Sequence, residues 1–227
     1  MPDESLPDWE RVLSAAAHLQ DILPGAVLVG GTAAAIYAGH RISTDADHVV
    51  VDLKTRFDAV LLELESVAGW KTARVARPVM ILDSLDGIET GVRQLIRDAP
   101  LETRVVQVGA ASLTIPTEAE ILRIKAALIL KRNATRDYLD FAALTDHMGH
   151  PAALAALRGL DDLYPQSNGE SALLQLQIQL SNALPFDLDE ASLAEYKNLN
   201  VRWRLWSNVQ AACASLAVSI FDKIITT

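Results

Sequence analysis

The sequence predicts an α+β chain: a mixed α/β half running to about residue 115, then an all-helical half over residues 116–227. Three observations predict it. Short β-branched runs bounded by turn residues recur between Ala26 and Ile115. From Thr117 onward the apolar residues fall at helical spacing. Residues 151–222 are dominated by Ala and Leu and hold no run that reads as a strand. Strands gathered in one half and helices in the other place the domains at 1–115 and 116–227.

Each element has a local cause. Pro7-Asp8 opens a helix through Trp9, Val12, Leu13, Ala16 and Leu19, with Asp8 as N-cap and Pro24-Gly25 as its stop. Ala26 to Val29 reads as a short buried strand, and Gly30-Gly31 turns the chain into a helix from Thr32 to Ala38 that Gly39 ends. His48 to Leu53, with consecutive β-branched residues, is the next strand, and Phe57 to Ala68 is an amphipathic helix. Thr72 to Val75, Val79 to Leu82, Arg104 to Val108 and Leu113 to Ile115 read as strands. Ile88 to Leu95, after the Asp86-Gly87 turn, carries no clear assignment. Thr117 and Glu120 stand at capping-box spacing before the helix EILRIKAALILKRN. TRDYLDFAALTDHM is a second helix, closed by Gly149, while LYPQSNGE and NALPFDLDEAS read as loops.

Composition narrows the function. At 227 residues the chain can bury a proper core, and 50% hydrophobic against 22% charged residues is a globular balance. A formal charge of −9 argues against broad electrostatic binding to nucleic acid, which needs a dense basic face, and leaves room for a local basic cleft. Cys213 is the only cysteine, so no intramolecular disulfide forms; its apolar helical run marks a small core residue rather than a nucleophile. The five histidines show no zinc-ligand spacing. The acidic start MPDESLPDWERV lacks the pattern of a signal peptide, and no uninterrupted apolar stretch reaches about eighteen residues. A cytoplasmic protein with no membrane span is expected.

The chemistry concentrates in LVGGTAAAIYAGHRISTDADHVVVDL, residues 28–53. A strand, two glycines and a helix aim backbone N–H groups at a helix N-terminus that no side chain blocks, a natural phosphate cradle. The spacing matches neither the Rossmann nor the P-loop glycine pattern, and a tight turn alone would also ask for glycine. Asp45 and Asp47 stand at i and i+2, so both side chains leave one face of an extended segment. Two such carboxylates repel unless a cation sits between them, and Mg²⁺ prefers oxygen ligands shared with substrate phosphates. Cradle and D-x-D together describe metal-assisted phosphoryl or nucleotidyl transfer; the other reading is a turn capped by STDAD.

VGGTAAAIYAGHRISTDADH resembles the signature of DNA polymerase β-like nucleotidyltransferases. More narrowly, Gly-Gly-Thr, the small-residue helix, Gly-His-Arg, Ser and D-x-D resemble the AbiEii-type family, nucleotidyltransferase-like toxins of type IV toxin–antitoxin and phage-defence systems. Lys125 in EILRIKAALILKRN, then Arg136, Asp137 and Asp140 in TRDYLDFAAL, extend the likeness over residues 25–145. The tail from 151 to 227 matches no known pattern, and His48 replaces the large apolar residue usual in relatives.

The resemblance implies a nucleotidyltransferase-type mixed sheet flanked by helices, with the helical half closing the cleft. Asp45 and Asp47 would hold Mg²⁺, with two ions possible, at the phosphates of an NTP. Gly30, Gly31 and Thr32 would hydrogen-bond those phosphates, Arg41 would add charge, and Ser43 would orient the D-x-D loop. Lys125 would contact phosphate and Asp137 would act as base toward the acceptor hydroxyl. A third carboxylate is common in such enzymes; Asp83, Asp86 and Glu89 are the candidates, and Glu89, which opens a run after a turn, is the one chosen. The implied reaction moves an NMP to a hydroxyl on RNA, such as the acceptor end of tRNA, or on protein, with a cognate antitoxin as partner. Arg123, Lys125, Lys131, Arg132 and Arg136 form a candidate basic patch.

Structural readings stay open beside these. Arg41 is equally a partner for an aspartate, Lys125 a lysine snorkelling from a buried helix, and Asp137 or Asp140 a counter-ion to Lys125 or Arg136. His48 is either a packing residue or a contact to the base. For the whole chain the rivals are a non-catalytic regulator that binds nucleotide or partner protein, and a nucleotidyltransferase acting on a small molecule such as an antibiotic.

Overall fold

The computed structural model describes residues 8–188 and 190–225. Pro7 with the acidic residues before it, and Asp189 in the second expected loop, lie outside the described residues. The chain forms two compact units. One runs to Ile36 and resumes over Ser43–Thr117; the other takes Tyr37–Ile42 and the chain from Glu118.

The first unit is built from α1 (Asp8–Ile22), β1 (Val27–Leu28), most of α2 (Gly30–Ala38), β2 (Asp45–Val50), α3 (Leu53–Glu65), β3 (Trp70–Ala76), β4 (Met80–Leu85), β5 (Ile88–Gln94), β6 (Thr103–Val108) and β7 (Ala111–Pro116). The main sheet is ordered β1-β2-β5-β4-β3 and is mixed: β2 and β5 are parallel, every other pair antiparallel. β6 and β7 make a separate hairpin. Gln20 of α1 clasps its edge, donating to the Thr114 carbonyl and accepting from the Thr114 N–H, both at 2.8 Å.

Strand alternation decides which side chains enter the core. Ala46, His48 and Val50 of β2 are buried, whereas Asp45, Asp47 and Val49 are only partly covered. Val50 packs with Ile81, Leu85 and Val92 from the sheet, Leu19 from α1, and Phe57, Val60 and Leu64 from α3. Each such side chain contributes about 1.5–3 kcal/mol on burial. The two helices thus cover one face of the sheet, and the carboxylates of β2 belong to the other.

Two strands differ from expectation. β2 begins at Asp45 rather than His48, because the D-x-D itself pairs with β5, Asp45 against Glu89 and Asp47 against Gly91. It stops at Val50; Val51, 61% exposed, turns the chain, and α3 starts at Leu53 behind an Asp52–Arg56 ion pair. The unassigned stretch after Asp86-Gly87 is β5, a central strand hydrogen-bonded on both sides.

The second unit holds α4 (Glu118–Arg132), α5 (Thr135–Met148), α6 (His150–Leu157), α7 (Leu160–Leu163), α8 (Ala172–Ser181), α9 (Glu190–Glu195), a 3₁₀ turn (Val201–Trp203), α10 (Trp206–Ile220) and a final π-helical turn (Phe221–Ile225), with no strand among the described residues. The loop expected up to Ser192 ends early, since α9 begins at Glu190. Cys213 is 1% exposed in α10, and burial pushes its thiol up to about 12, which fits a core residue. Among the described residues no helix is long and apolar enough to cross a membrane.

Candidate active site

The glycine turn meets the D-x-D strand edge-on. The Val29 N–H donates to the Asp47 carbonyl at 2.8 Å, which brings the start of α2 beside β2. Gly30 has φ +73°, a conformation that costs an L side chain about 1 kcal/mol or more. A Cβ there would lie 3.6 Å from the Asp47 Cβ and 3.8 Å from its Oδ2. The first N–H groups of α2, free of intrahelical partners, therefore open next to Asp47.

The carboxylates are held from beneath. Ser43, buried, donates its hydroxyl to Asp45 Oδ1 at 2.6 Å, so it orients the aspartate. The Thr32 hydroxyl, expected at a phosphate, donates instead to the Asp45 carbonyl at 2.5 Å and ties α2 to β2. Arg93 Nε lies 3.7 Å from Asp47 Oδ1. Gly91, in register with Asp47, leaves it room: a Cβ there would meet Asp47 Oδ1 at 2.9 Å and Leu82 Cδ2 at 2.8 Å.

Of the three candidates for a further carboxylate, Glu89 alone shares this face, exposed and in register with Asp45. Asp83 alternates with Ile81 and Leu85 and points to the buried side. It is 5% exposed, neither oxygen has a hydrogen-bond partner among the described residues, and burial, with the Asp47 charge adding, pushes its pKa up to about 8. Asp86 sits in the following turn, 3.2 Å from His18. His48 also faces the core; its Nδ1 donates to the Ala46 carbonyl at 2.9 Å, and burial lowers its pKa to about 4. That geometry overturns the base-contact reading and leaves packing.

The donor set suits Mg²⁺. Two carboxylates on one face, beside a glycine that keeps the space open, are the oxygen ligands this ion shares with substrate phosphates. Among the described residues no group of three or more ligating side chains could enclose a metal alone. A Mg²⁺ here would draw its remaining ligands from substrate and water.

The second unit gathers the other sequence-predicted residues around two buried aspartates. Asp140 accepts from His40 Nε2 at 2.8 Å, from Arg41 Nε and Nη2 at 2.9 and 3.2 Å, and pairs with Lys125 Nζ at 2.7 Å. Burial opposes its ionisation, but Arg41, Lys125 and His40 outweigh that and hold the carboxyl well below the usual carboxylate range. Asp137 lies 3.3 Å from Lys125 Nζ and accepts from Arg132 Nε and Nη2 at 2.5 and 2.7 Å. Lys125 is 1% exposed, so it does not snorkel; Asp137, fully buried, stands as a counter-ion. Arg41, expected at the nucleotide, forks onto Asp140 and lies 5.1 Å above the Tyr196 ring. Removing one partner from such a buried cluster costs about 3–5 kcal/mol.

The proposed basic patch shrinks accordingly. Arg123 lies 3.3 Å from Glu120, and Lys125 and Arg132 serve the aspartates, which leaves Lys131 and Arg136 exposed. Sequence reasoning passed over Gly91, Arg93 and the His40–Asp140 contact. A glycine inside a strand run was the available signal for the first, since it marks close approach of another group. No local pattern links residues a hundred positions apart.

A five-stranded mixed sheet covered by helices on one side, with a glycine turn feeding a D-x-D strand, defines a nucleotidyltransferase-like fold. Over 96% of its length the chain is similar to JHP933 from Helicobacter pylori, at 16% identity and a TM-score of 0.55, covering 93% of that chain. Over 99% it is similar to a second H. pylori protein, described as a candidate nucleotidyltransferase, at 16% identity and a TM-score of 0.50, covering 98% of that chain. At such identity the likeness is one of fold. No family model matches the chain. A stretch of 130 residues, 56% of the chain, is 36% identical to the heme uptake protein MmpL11 of Mycobacterium tuberculosis and 31% identical to the mycolic acid-containing lipids exporter MmpL11 of Mycolicibacterium smegmatis. The matched region spans only 13% of the length of either relative.

Proposed function

We propose that this chain is a Mg²⁺-dependent nucleotidyltransferase that moves a nucleoside monophosphate from an NTP to an acceptor hydroxyl. The observation that carries the reading is the shared face of Asp45 and Asp47, bordered by the Gly30 turn and by Gly91. In the reaction the acceptor hydroxyl gives its proton to water, its oxygen bonds to the α-phosphorus, the bond from that phosphorus to the bridging oxygen breaks, and pyrophosphate leaves. Asp45 and Asp47 would hold the ion, which supplies charge neutralisation at the phosphates when bound. Ser43 fixes the Asp45 carboxylate, Arg93 tempers repulsion between the two aspartates, and the N–H groups of Gly31 and the residues after it bind phosphate oxygen. Glu89 neighbours Asp45 on β5, but the ion would take its remaining ligands from substrate and water rather than from a third carboxylate. Asp137 is assigned to holding Lys125 and Arg132 rather than to proton abstraction.

The AbiEii-type resemblance points to an RNA end, such as tRNA, or a protein hydroxyl as acceptor, and to a toxin held in check by an antitoxin. The test is transfer of label from each α-³²P NTP, with Mg²⁺, to total tRNA and to the protein itself. Asp45→Asn and Asp47→Asn, both on a partly open strand face, should retain the fold and lose roughly a hundredfold or more in rate. Nucleotide binding without any transfer to either acceptor would instead assign the chain to the non-catalytic class.

A further inference from the structure

A cavity of about 580 Å³ lies within the helical unit between α5 and α10. Small residues line it: Ala142 on α5, Gly149 just past its end, and Ala211 and Ala212 on α10. Ala142 follows Asp140 by two positions, about 200° around a helix, so the cavity opens on the side of α5 away from the buried aspartates. It is of a size that holds a small organic molecule.

Its polar groups carry both signs. Arg202 Nη2 lies 2.7 Å from Asp146 Oδ1 at the wall, with their side chains 56% and 40% exposed. The guanidinium is also stacked 4.9 Å from the Trp203 ring, and the Arg202 carbonyl accepts from Asn208 Nδ2 at 2.7 Å, so the arginine is held in place. Asp146 and Gly149 belong to the carbonyl-rich end of α5, and Asn208 to the N–H-rich first turn of α10, so the helix ends add negative charge on one wall and positive on the other. Thr145, which also lines the cavity, is 3% exposed and its hydroxyl has no hydrogen-bond partner among the described residues. That oxygen is enclosed by the protein, so Thr145 offers the cavity wall rather than a polar contact.

We propose that this cavity binds a small zwitterion of amino-acid or dipeptide size, with its ammonium on Asp146, its carboxylate on Arg202 and its body over the alanines. A net anion would face Asp146 and a net cation would face Arg202; a zwitterion satisfies both. An exposed ion pair is worth little by itself, so a ligand can share its two halves at small cost. This site is separate from nucleotidyl transfer and does not depend on it.

The experiment is isothermal titration calorimetry on the full chain with the twenty free L-amino acids and dialanine as probes. Each probe that binds is then repeated as its N-acetyl and its carboxamide form. Free zwitterions should bind, and blocking either charge should weaken binding roughly tenfold or more, as should Asp146→Asn or Arg202→Gln. Ala211→Leu, at an exposed lining position, should abolish binding by filling the cavity while leaving the thermal midpoint unchanged. The proposal is overturned by an absence of binding up to about 10 mM, by equal affinity for a singly charged form, or by binding that ignores Ala211→Leu.

Discussion

Asp47 and Asp83 belong to one sheet and opposite faces, and their surroundings give them opposite chemistry. Asp47 lies partly open beside Arg93, whereas Asp83 is buried with no partner for either oxygen among the described residues. Burial pushes Asp83 up to about 8, so the folded chain keeps its proton where the unfolded chain, titrating near 4, has released it. Between those two values the native state binds more protons, and stability falls as pH rises. Its contribution is complete below about pH 4 and is lost as pH passes through 8. Asp83→Asn keeps the shape without the titration. Its stability relative to the unsubstituted chain should therefore rise from pH 5 to about pH 8, by at most about 1.4 kcal/mol per pH unit, and level off above that, with the thermal midpoint following the same course. A difference independent of pH would mean that the buried carboxyl is ionised throughout. Asp83 alternates with Ile81 and Leu85, but its face shows only once the strand runs past Leu82, the end that the sequence predicts, to Leu85.

At the scale of elements, the pairing of β2 with β5 builds the site, and it was the least legible part of the chain. Helices α1, α4 and α5 announce themselves through caps and apolar period, and the Gly-Gly turn through its neighbours. β5 does not: IETGVRQ mixes charged residues with a glycine because one face is buried and the other lies beside Asp47. Parallel pairing to a strand some forty residues earlier leaves no hairpin signature between them. For the same reason the sequence shows the D-x-D at the entry of β2, while the pairing puts it within the strand. Gly91 is where this pairing meets chemistry, since a single added methyl collides with Asp47 Oδ1 and with Leu82. Gly91→Ala should leave circular dichroism intact and shift Mg²⁺-dependent NTP binding or transfer roughly tenfold or more, because the carboxylate must move by several tenths of an ångström. Unchanged binding and rate would show that Asp47 tolerates displacement and that the carboxylate face does not carry the reaction.

For the whole molecule, the division into a strand-bearing and a helical unit follows from hydrophobic period alone, but the assignment of residues 37–42 to the helical unit does not. It depends on His40 and Arg41 reaching Asp140, and on the Ile42 N–H donating to the Lys197 carbonyl, contacts that no local pattern encodes. Those ion pairs also change what the charge of the molecule means. The formal charge is −9, and three of the five cations between 123 and 136 are engaged by Glu120, Asp137 and Asp140. With Lys131 and Arg136 left exposed, an RNA acceptor would meet few fixed cations on this stretch. Single-stranded RNA releases about 0.7 counterions per phosphate neutralised, so two such contacts give a log–log slope of about −1.4 against salt. RNA affinity measured between 50 and 200 mM salt should therefore fall only about sevenfold. A slope several times steeper would require a longer basic track than this helix junction offers, and would move the acceptor site to a different surface of the chain.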